Sequence, residues 1–168
     1  GYMLLEMKVS ALAVDPHTNA TIVILKDLED KNALPIWIGI MEATAIAVEL
    51  EKIKLSRPMT HDLLKEILRT TGVDILKIEI NDLRDNVYYA AIHLKKITEL
   101  HVIDCRPSDA IALALRTNTP IFVSEKVIEK SRNIDLRKIK EYPKDGQSDD
   151  LMDILENLSP EEFGKYKM

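Results

Sequence analysis

The stretch from Asp104 to Leu115 most constrains what this chain can fold into. It joins the end of an apolar, β-branched segment to a helix whose first turn is polar and whose next residues, Ala110 to Leu115, carry no polar side chain. Pro107 suits the first helical position, because its φ is already helical and that position needs no N–H donor. Asp109 follows in the first turn, where a carboxylate meets the positive end of the helix dipole. A helix without a polar face is buried on all sides, by its own domain or by a second subunit, so this helix is predicted to be the core.

Strands and helices are predicted on both sides of this segment. Alternating or β-branched apolar runs predict strands over residues 4–14, 21–25, 34–38, 75–80, 87–94, 99–103 and 120–123. Apolar residues at helical spacing predict a helix over residues 41–54, and a further helix is expected between an N-cap at Thr60 and a C-cap at Gly72. The buried face of that further helix is expected to comprise Leu63, Leu64, Ile67 and Leu68.

The order of these elements repeats along the chain. Three strands and a helix precede residue 55, and three strands and a helix recur between residues 75 and 116. The two helices match by residue type, with Ala45-Ile46-Ala47 and Ala110-Ile111-Ala112 lying 65 positions apart. The sequence therefore predicts an α+β fold of duplicated strand–strand–strand–helix units, in which a mixed or antiparallel sheet packs against helices.

The chain changes character after this repeated region. Residues 125–140 are mostly charged and predict short helices, and the turn-forming residues 143–148 are typical of a linker. Three parts are expected: a folded domain over residues 3–130, a linker over 131–148 and a C-terminal helical tail over 149–168. The tail is amphipathic, and docking on its own domain is expected before docking on a partner.

Composition limits the function classes. The 168 residues carry a net charge of −5 and a pI near 5.4, which argues against a dedicated nucleic-acid-binding protein but leaves room for a local site. The single cysteine, Cys105, excludes an intrachain disulfide and predicts a reducing compartment. No membrane span or signal peptide is recognisable, so we expect a cytoplasmic protein without membrane association.

Catalytic signatures such as a P-loop, GxSxG or HExxH are missing from the sequence, and charged residues gather instead at strand-to-helix junctions. If the duplication is real, these junctions lie at one edge of the fold. Carboxylates there are candidate ligands for Mg²⁺ or Mn²⁺, a histidine is a candidate base, and the arginines are candidate phosphate clamps. The predicted metal ligands are Glu42, Asp104 and Asp109, and the predicted catalytic residues are Arg57, His61, Asp62, Arg106 and Ser108.

Each of these residues also has a structural explanation. Asp62 and Asp109 are accounted for by helix capping and the dipole alone, and the arginines by pairing with them. His61 beside an N-cap is more often a surface residue than a catalyst. Cys105 is followed by Arg106, which is able to lower a thiol pKa, although a lone cysteine at a strand end is more often structural.

Three ordered motifs resemble the bifunctional nuclease domain family, which occurs in bacteria and plants. They are Leu34-Pro35-Ile36-Trp37-Ile38-Gly39 with Glu42-Ala43, Arg57-Pro58-Met59-Thr60-His61-Asp62-Leu63-Leu64, and Asp104-Cys105-Arg106-Pro107-Ser108-Asp109-Ala110-Ile111-Ala112. The closing residues 155–168 also resemble the tail of bacterial members. The resemblance implies a compact α+β fold that self-associates as a dimer. Its name implies cleavage of DNA and RNA, with no mechanism that transfers residue by residue.

Two functions from different classes follow. One is a metal-dependent phosphodiesterase that cleaves DNA or RNA, as the family name implies. The other is a non-catalytic, dimeric interaction or regulatory module, which the acidic pI and the capping explanations favour. A small-molecule sensor at the same edge is a third possibility without a residue pattern behind it.

Overall fold

The computed structural model describes residues 3–132 and 140–141. The helices are α1 (Ile40–Leu50), α2 (Thr60–Thr70), α3 (Pro107–Thr117) and α4 (Glu125–Ser131). The strands are β1 (Leu4–Val14), β2 (Thr21–Asp27), β3 (Ala33–Ile38), β4 (Asp74–Arg84), β5 (Val87–Lys96), β6 (Glu99–Cys105), β7 (Ile121–Ser124) and β8 (Lys140–Glu141). The predicted C-terminal tail and most of the predicted linker lie outside the described residues.

The strands form one mixed sheet in the order β3-β2-β1-β7-β4-β5-β6, and β8 pairs with the end of β1. Two antiparallel three-stranded units are thus joined by β7, which runs antiparallel to β1 and parallel to β4. The α+β class and the repeated strand–strand–strand–helix order are confirmed. The helices α1 and α3 begin 67 positions apart, so the offset of 65 predicted from residue types was two short. Lys140–Glu141, within the predicted linker, belongs to the sheet.

The sheet curls, so that strands far apart in its order approach each other. The hydroxyl of Tyr88 on β5 donates a hydrogen bond of 2.8 Å to the main-chain oxygen of Pro35 on the edge strand β3. Helix α3 packs against α1 and α2 as well as against β4 and β5. Its residues Ala110 to Ala114 are buried, which confirms the predicted core helix. Among the described residues, no helix has the length and apolarity needed to span a membrane.

The end of α1 and the start of α2 differ from their predicted positions. Helix α1 ends at Leu50 because Lys52 adopts a left-handed φ of 54° and the N–H of Ile53 bonds to the oxygen of Val48, the Schellman pattern. A lysine in that role gives no sequence signal. Gly72, with φ of 74°, follows α2 in the same motif as expected. The N-cap of α2 is Met59, so the prediction of Thr60 was wrong by one residue.

The predicted buried face of α2 was wrong for three of its four residues. Leu63 and Ile67 are 54% and 50% exposed, and Leu64 is also exposed. Leu68 alone packs against the core. The apolar periodicity that identifies an amphipathic helix does not say what covers its apolar face, and no described part of this chain covers this one.

The side chain of Leu113 is fully buried, so a substitution there tests the central position of α3 in the core. We expect Leu113→Ala to lower the free energy of unfolding by about 2–5 kcal/mol through lost apolar burial and the cavity left behind. Urea denaturation followed by circular dichroism measures this change. Leu28→Ala, at an exposed leucine, is the control and should change stability by less than about 0.5 kcal/mol. Equal effects of the two substitutions would contradict the core assignment.

Candidate functional site

Three helices present an acidic side chain at the same place in their first turn. Glu42, Asp62 and Asp109 are each the third residue of α1, α2 and α3, where the positive end of the helix dipole stabilises a carboxylate. The carboxylate of Glu42 folds back over Gly39, the N-cap residue of α1. Local helix-start chemistry therefore places all three carboxylates, and the packing of α3 against α1 and α2 decides which of them meet.

A continuous chain of ionic contacts joins α1, α2 and α3. The Arg106 guanidinium donates from Nη1 to Glu42 Oε1 at 2.8 Å and from Nε to Asp109 Oδ2 at 3.1 Å. The other oxygen of Asp109 lies 2.9 Å from His61 Nε2. Arg106 is 64% exposed whereas His61 is 14% exposed, so the chain runs from solvent into a half-buried imidazole. The structure thus brings four of the predicted site residues together: Glu42, His61, Arg106 and Asp109.

The ionised carboxylate of Asp109 determines which ring nitrogen of His61 donates a hydrogen bond. Partial burial would raise the pKa of the Asp109 carboxyl, but hydrogen bonds from His61 and Arg106 and their charges lower it below its ordinary value. An ionised carboxylate only accepts hydrogen bonds, so His61 must donate from Nε2. The lone pair of a neutral His61 is then on Nδ1. This arrangement orients an imidazole for proton transfer next to an exposed guanidinium.

A second ionic cluster lies behind the first and is more deeply buried. Arg116 is 2% exposed and donates to Asp62 Oδ1 at 2.8 Å and to the Ala112 main-chain oxygen at 2.9 Å, while Glu49 lies 3.7 Å away. Burial opposes ionisation of Asp62, but the Met59 N–H and Arg116 lower its pKa. This cluster holds α1, α2 and α3 together. Arg116 was missed at the sequence level, because a basic residue in the last turn of a helix normally indicates only a dipole contact.

The remaining predicted site residues lie apart from the ionic chain. Arg57 is exposed between α1 and α2, and Asp104 is exposed on β6. Within residues 3–132 and 140–141, no group of three or more His, Cys, Asp or Glu side chains is placed to hold a metal ion. Glu42 and Asp109 already share the guanidinium of Arg106, which supplies the positive charge between them. As arranged, the predicted ligands Glu42, Asp104 and Asp109 do not fit a metal centre.

Cys105 was expected to be structural rather than reactive, and the pKa of its thiol supports that interpretation. Burial raises the pKa of its thiol to about 12, and the charges of Asp109 and Asp104 act in the same direction. The structural interpretation of this cysteine is therefore favoured over a reactive one.

A cavity opens beside Arg106, between β3, the β4–β5 hairpin and the start of α3. Its volume is about 600 Å³, and most of its wall is apolar. Ser108, predicted as a catalytic residue, is buried and lines this cavity together with Arg106 and Glu42. The ionic chain and the cavity thus share two residues. The apolar wall includes Ile36, Ile38, Leu83, Val87, Tyr88 and Pro107.

Comparison with known proteins gives consistent matches. The sequence model of the bifunctional nuclease domain matches residues 23–135, which include the whole ionic chain. An uncharacterised protein of Mycobacterium tuberculosis is 29% identical over 162 residues, covering 94% of this chain and 97% of that protein. Bifunctional nuclease 1 of Oryza sativa subsp. indica is 31% identical over 110 residues, covering 62% of this chain and 33% of that protein. Bifunctional nuclease 1 of Arabidopsis thaliana is 28% identical over 95 residues, covering 55% and 29%.

Asp62→Asn tests whether Asp62 has a structural role, as the partner of Arg116. We expect the substitution to destabilise the fold by about 1.5–3 kcal/mol at neutral pH, because buried Arg116 loses a charged hydrogen-bond partner. Asp62 has a lowered pKa in the folded state, so its contribution is complete above its ordinary value of 3.8 and is lost as the pH falls through the lower folded value.

The stability difference between wild type and Asp62→Asn should therefore shrink as the pH is lowered from 7 to below about 4. Urea denaturation at several pH values measures it. Glu66→Gln, which removes an exposed ion pair with Arg69 on the same helix, is the control and should cost less than about 1 kcal/mol. A pH-independent difference for Asp62→Asn would show that its charge does not stabilise the fold.

Proposed function

The chain belongs to the bifunctional nuclease domain family, and on this premise we propose that it hydrolyses phosphodiester bonds of DNA or RNA at the ionic chain of Glu42, His61, Arg106 and Asp109. The observation that carries the proposal is the His61–Asp109–Arg106 contact, which sets an oriented imidazole beside an exposed guanidinium. The family model matches residues 23–135, which contain these four residues, and two relatives of the chain are named bifunctional nucleases.

Arg106 is suited to hold the phosphate. A guanidinium has five N–H donors, and the contacts with Glu42 and Asp109 use only two of them. The remaining donors are on a side chain that is mostly exposed to solvent. A phosphodiester bound there would also face the N-terminus of α3, whose backbone N–H groups and dipole favour an anion. Asp109 links Arg106 to His61, so His61 lies near a phosphodiester bound at Arg106.

The proposed hydrolysis uses His61 as a general base. Nδ1 accepts a proton from a water molecule as the water oxygen forms a bond to phosphorus, and the bond from phosphorus to the leaving oxygen breaks. The leaving oxygen takes its proton from solvent. Asp109 positions the ring and stabilises the imidazolium that forms, and Arg106 offsets the charge on the phosphoryl oxygens.

Dependence on Mg²⁺ or Mn²⁺ stays a prediction from the sequence. The three residues predicted as ligands do not form a cluster in the described part of the chain, and no step above uses a metal. The cytoplasmic location likewise stays a prediction. An assay with and without EDTA tests the dependence on divalent metals directly.

His61→Gln is the decisive substitution for the proposed activity. We expect cleavage of single- or double-stranded DNA or RNA by the purified protein to fall about 100-fold or more, because the proton acceptor is lost. Rates are measured on labelled oligonucleotides with Mg²⁺, Mn²⁺ or EDTA. His17→Gln is the matched control, because it makes the same change at an exposed histidine in the turn between β1 and β2.

Two results would contradict this assignment. Cleavage that is unchanged in folded His61→Gln protein would indicate another site or a contaminating nuclease. The absence of cleavage on every substrate and with every metal would favour the second candidate function, a non-catalytic interaction or regulatory module. A specific observation supports that candidate: each charged group of the ionic chain is paired with another, as expected for contacts whose purpose is to hold three helices together.

Either function is compatible with a homodimer, which we propose forms through β6 and α2. Strand β6 is an edge strand, and its residues Glu99 to Asp104 are exposed on both faces. Leu100 and Val102 point to one face and Ile103 to the other, because side chains alternate along a strand. Exposed apolar edges favour pairing with another chain, and a second copy would cover both β6 and the apolar face of α2.

Val102→Lys tests this interface. We expect wild-type protein to elute with twice the chain mass of 19.1 kDa in light scattering coupled to size exclusion, and the variant to elute as a monomer. A lysine on an edge strand prevents pairing because its charge would be buried. Leu28→Lys, at another exposed apolar residue, should leave the dimer intact. A monomeric wild-type protein, or a dimer that Val102→Lys does not weaken, would contradict the proposal.

A further inference from the structure

The cavity beside Arg106 has features that the ionic chain does not use. Its volume of about 600 Å³ falls in the range of about 300–1,000 Å³ that is usual for small-molecule sites. Its wall is mostly apolar, and its polar lining residues include Glu42, Asn86, Arg106 and Ser108. Val87 and Arg106, both exposed, belong to this wall, so a ligand can enter from solvent.

The free edge of β3 gives the cavity a main-chain donor and acceptor. The oxygen of Pro35 accepts a hydrogen bond from Tyr88, so it points away from β2 and towards the cavity side of the strand. Main-chain groups alternate in direction along a strand of an antiparallel pair, which places the N–H and C=O of Trp37 on the same outer edge. Trp37 lines the cavity. An adjacent donor and acceptor beside an apolar slot match the hydrogen-bonding edge of a planar heterocycle.

The β4–β5 turn adds a polar side chain on the opposite side. Asp85 and Asn86 both have a positive φ, 49° and 63°, which forms the tight turn between the two strands. This turn brings Asn86 to the rim of the cavity, where its amide offers both donors and an acceptor. The polar groups thus surround a slot whose remaining wall is apolar.

Arg106 connects this slot to the proposed phosphate position, since it lines the cavity and belongs to the ionic chain. We propose that the cavity binds one unstacked nucleobase of the nucleic-acid strand whose phosphate lies on Arg106. The inference rests on the proposed function, and it deepens it by assigning a substrate conformation: a single-stranded or locally unpaired segment. Apolar and aromatic walls favour the faces of a base, and a base inside a duplex would be unable to enter.

Binding of nucleoside 5′-monophosphates to the full-length protein tests the inference. Calorimetry measures occupation of the cavity and gives the affinity. Val87→Glu places a carboxylate in the slot, and Leu28→Glu is the matched control at an exposed apolar residue outside it. Inorganic phosphate serves as the probe that lacks a base.

We expect a nucleoside monophosphate to bind wild type and Leu28→Glu at least about tenfold more tightly than it binds Val87→Glu. Inorganic phosphate should bind more weakly and equally to all three proteins. Equal affinity of the monophosphate and inorganic phosphate, or no effect of Val87→Glu, would overturn the inference. If the protein nevertheless cleaves nucleic acid, the proposed hydrolysis stands although the cavity assignment fails. Base-dependent binding without cleavage would support the cavity assignment and count against hydrolysis.

Discussion

The burial of α3 is the constraint on which the rest of the structure depends. A helix that is apolar from Ala110 to Leu113 gains its stability only when every side is covered, and no single neighbouring element is able to cover it. The sheet covers one side through β4 and β5, and α1 and α2 cover the others. The curl of the sheet and the insertion of β7 between the two three-stranded units follow from enclosing this helix.

The same packing determines where the charges meet. Each of the three helices begins with an acidic residue in its first turn, which a helix of any protein can use to stabilise its own end. Only when α1 and α2 lie against α3 do these local caps become shared contacts, through Arg106 at one place and Arg116 at the other. The candidate site is thus a by-product of helix capping, and this explains why the residues have both a structural and a chemical interpretation.

Whether a feature of the fold or the site could be predicted from the sequence depends on how local its signal is. The core helix was predictable, because a run of apolar residues is a local signal. The meeting of Glu42 and Arg106 was anticipated only through the internal repeat, since 64 positions separate them. The exposed face of α2, the left-handed Lys52 and the role of Arg116 were missed. Each of these depends on tertiary neighbours or on backbone geometry that leaves no residue pattern.

Arg116 and Arg106 make similar ionic contacts, but they differ in burial. The buried arginine suits a structural role, and the exposed one suits ligand binding. Arg116 is enclosed, and its hydrogen-bond partners are Asp62 and the main-chain oxygen of Ala112. Arg106 makes comparable contacts, but as the N-cap residue of α3 it places a positive side chain near the positive end of the helix dipole. Glu42 and Asp109 offset that unfavourable arrangement, and the guanidinium nevertheless remains mostly exposed. Its remaining N–H donors are the groups at which a phosphodiester is proposed to bind, with the base in the adjacent apolar cavity.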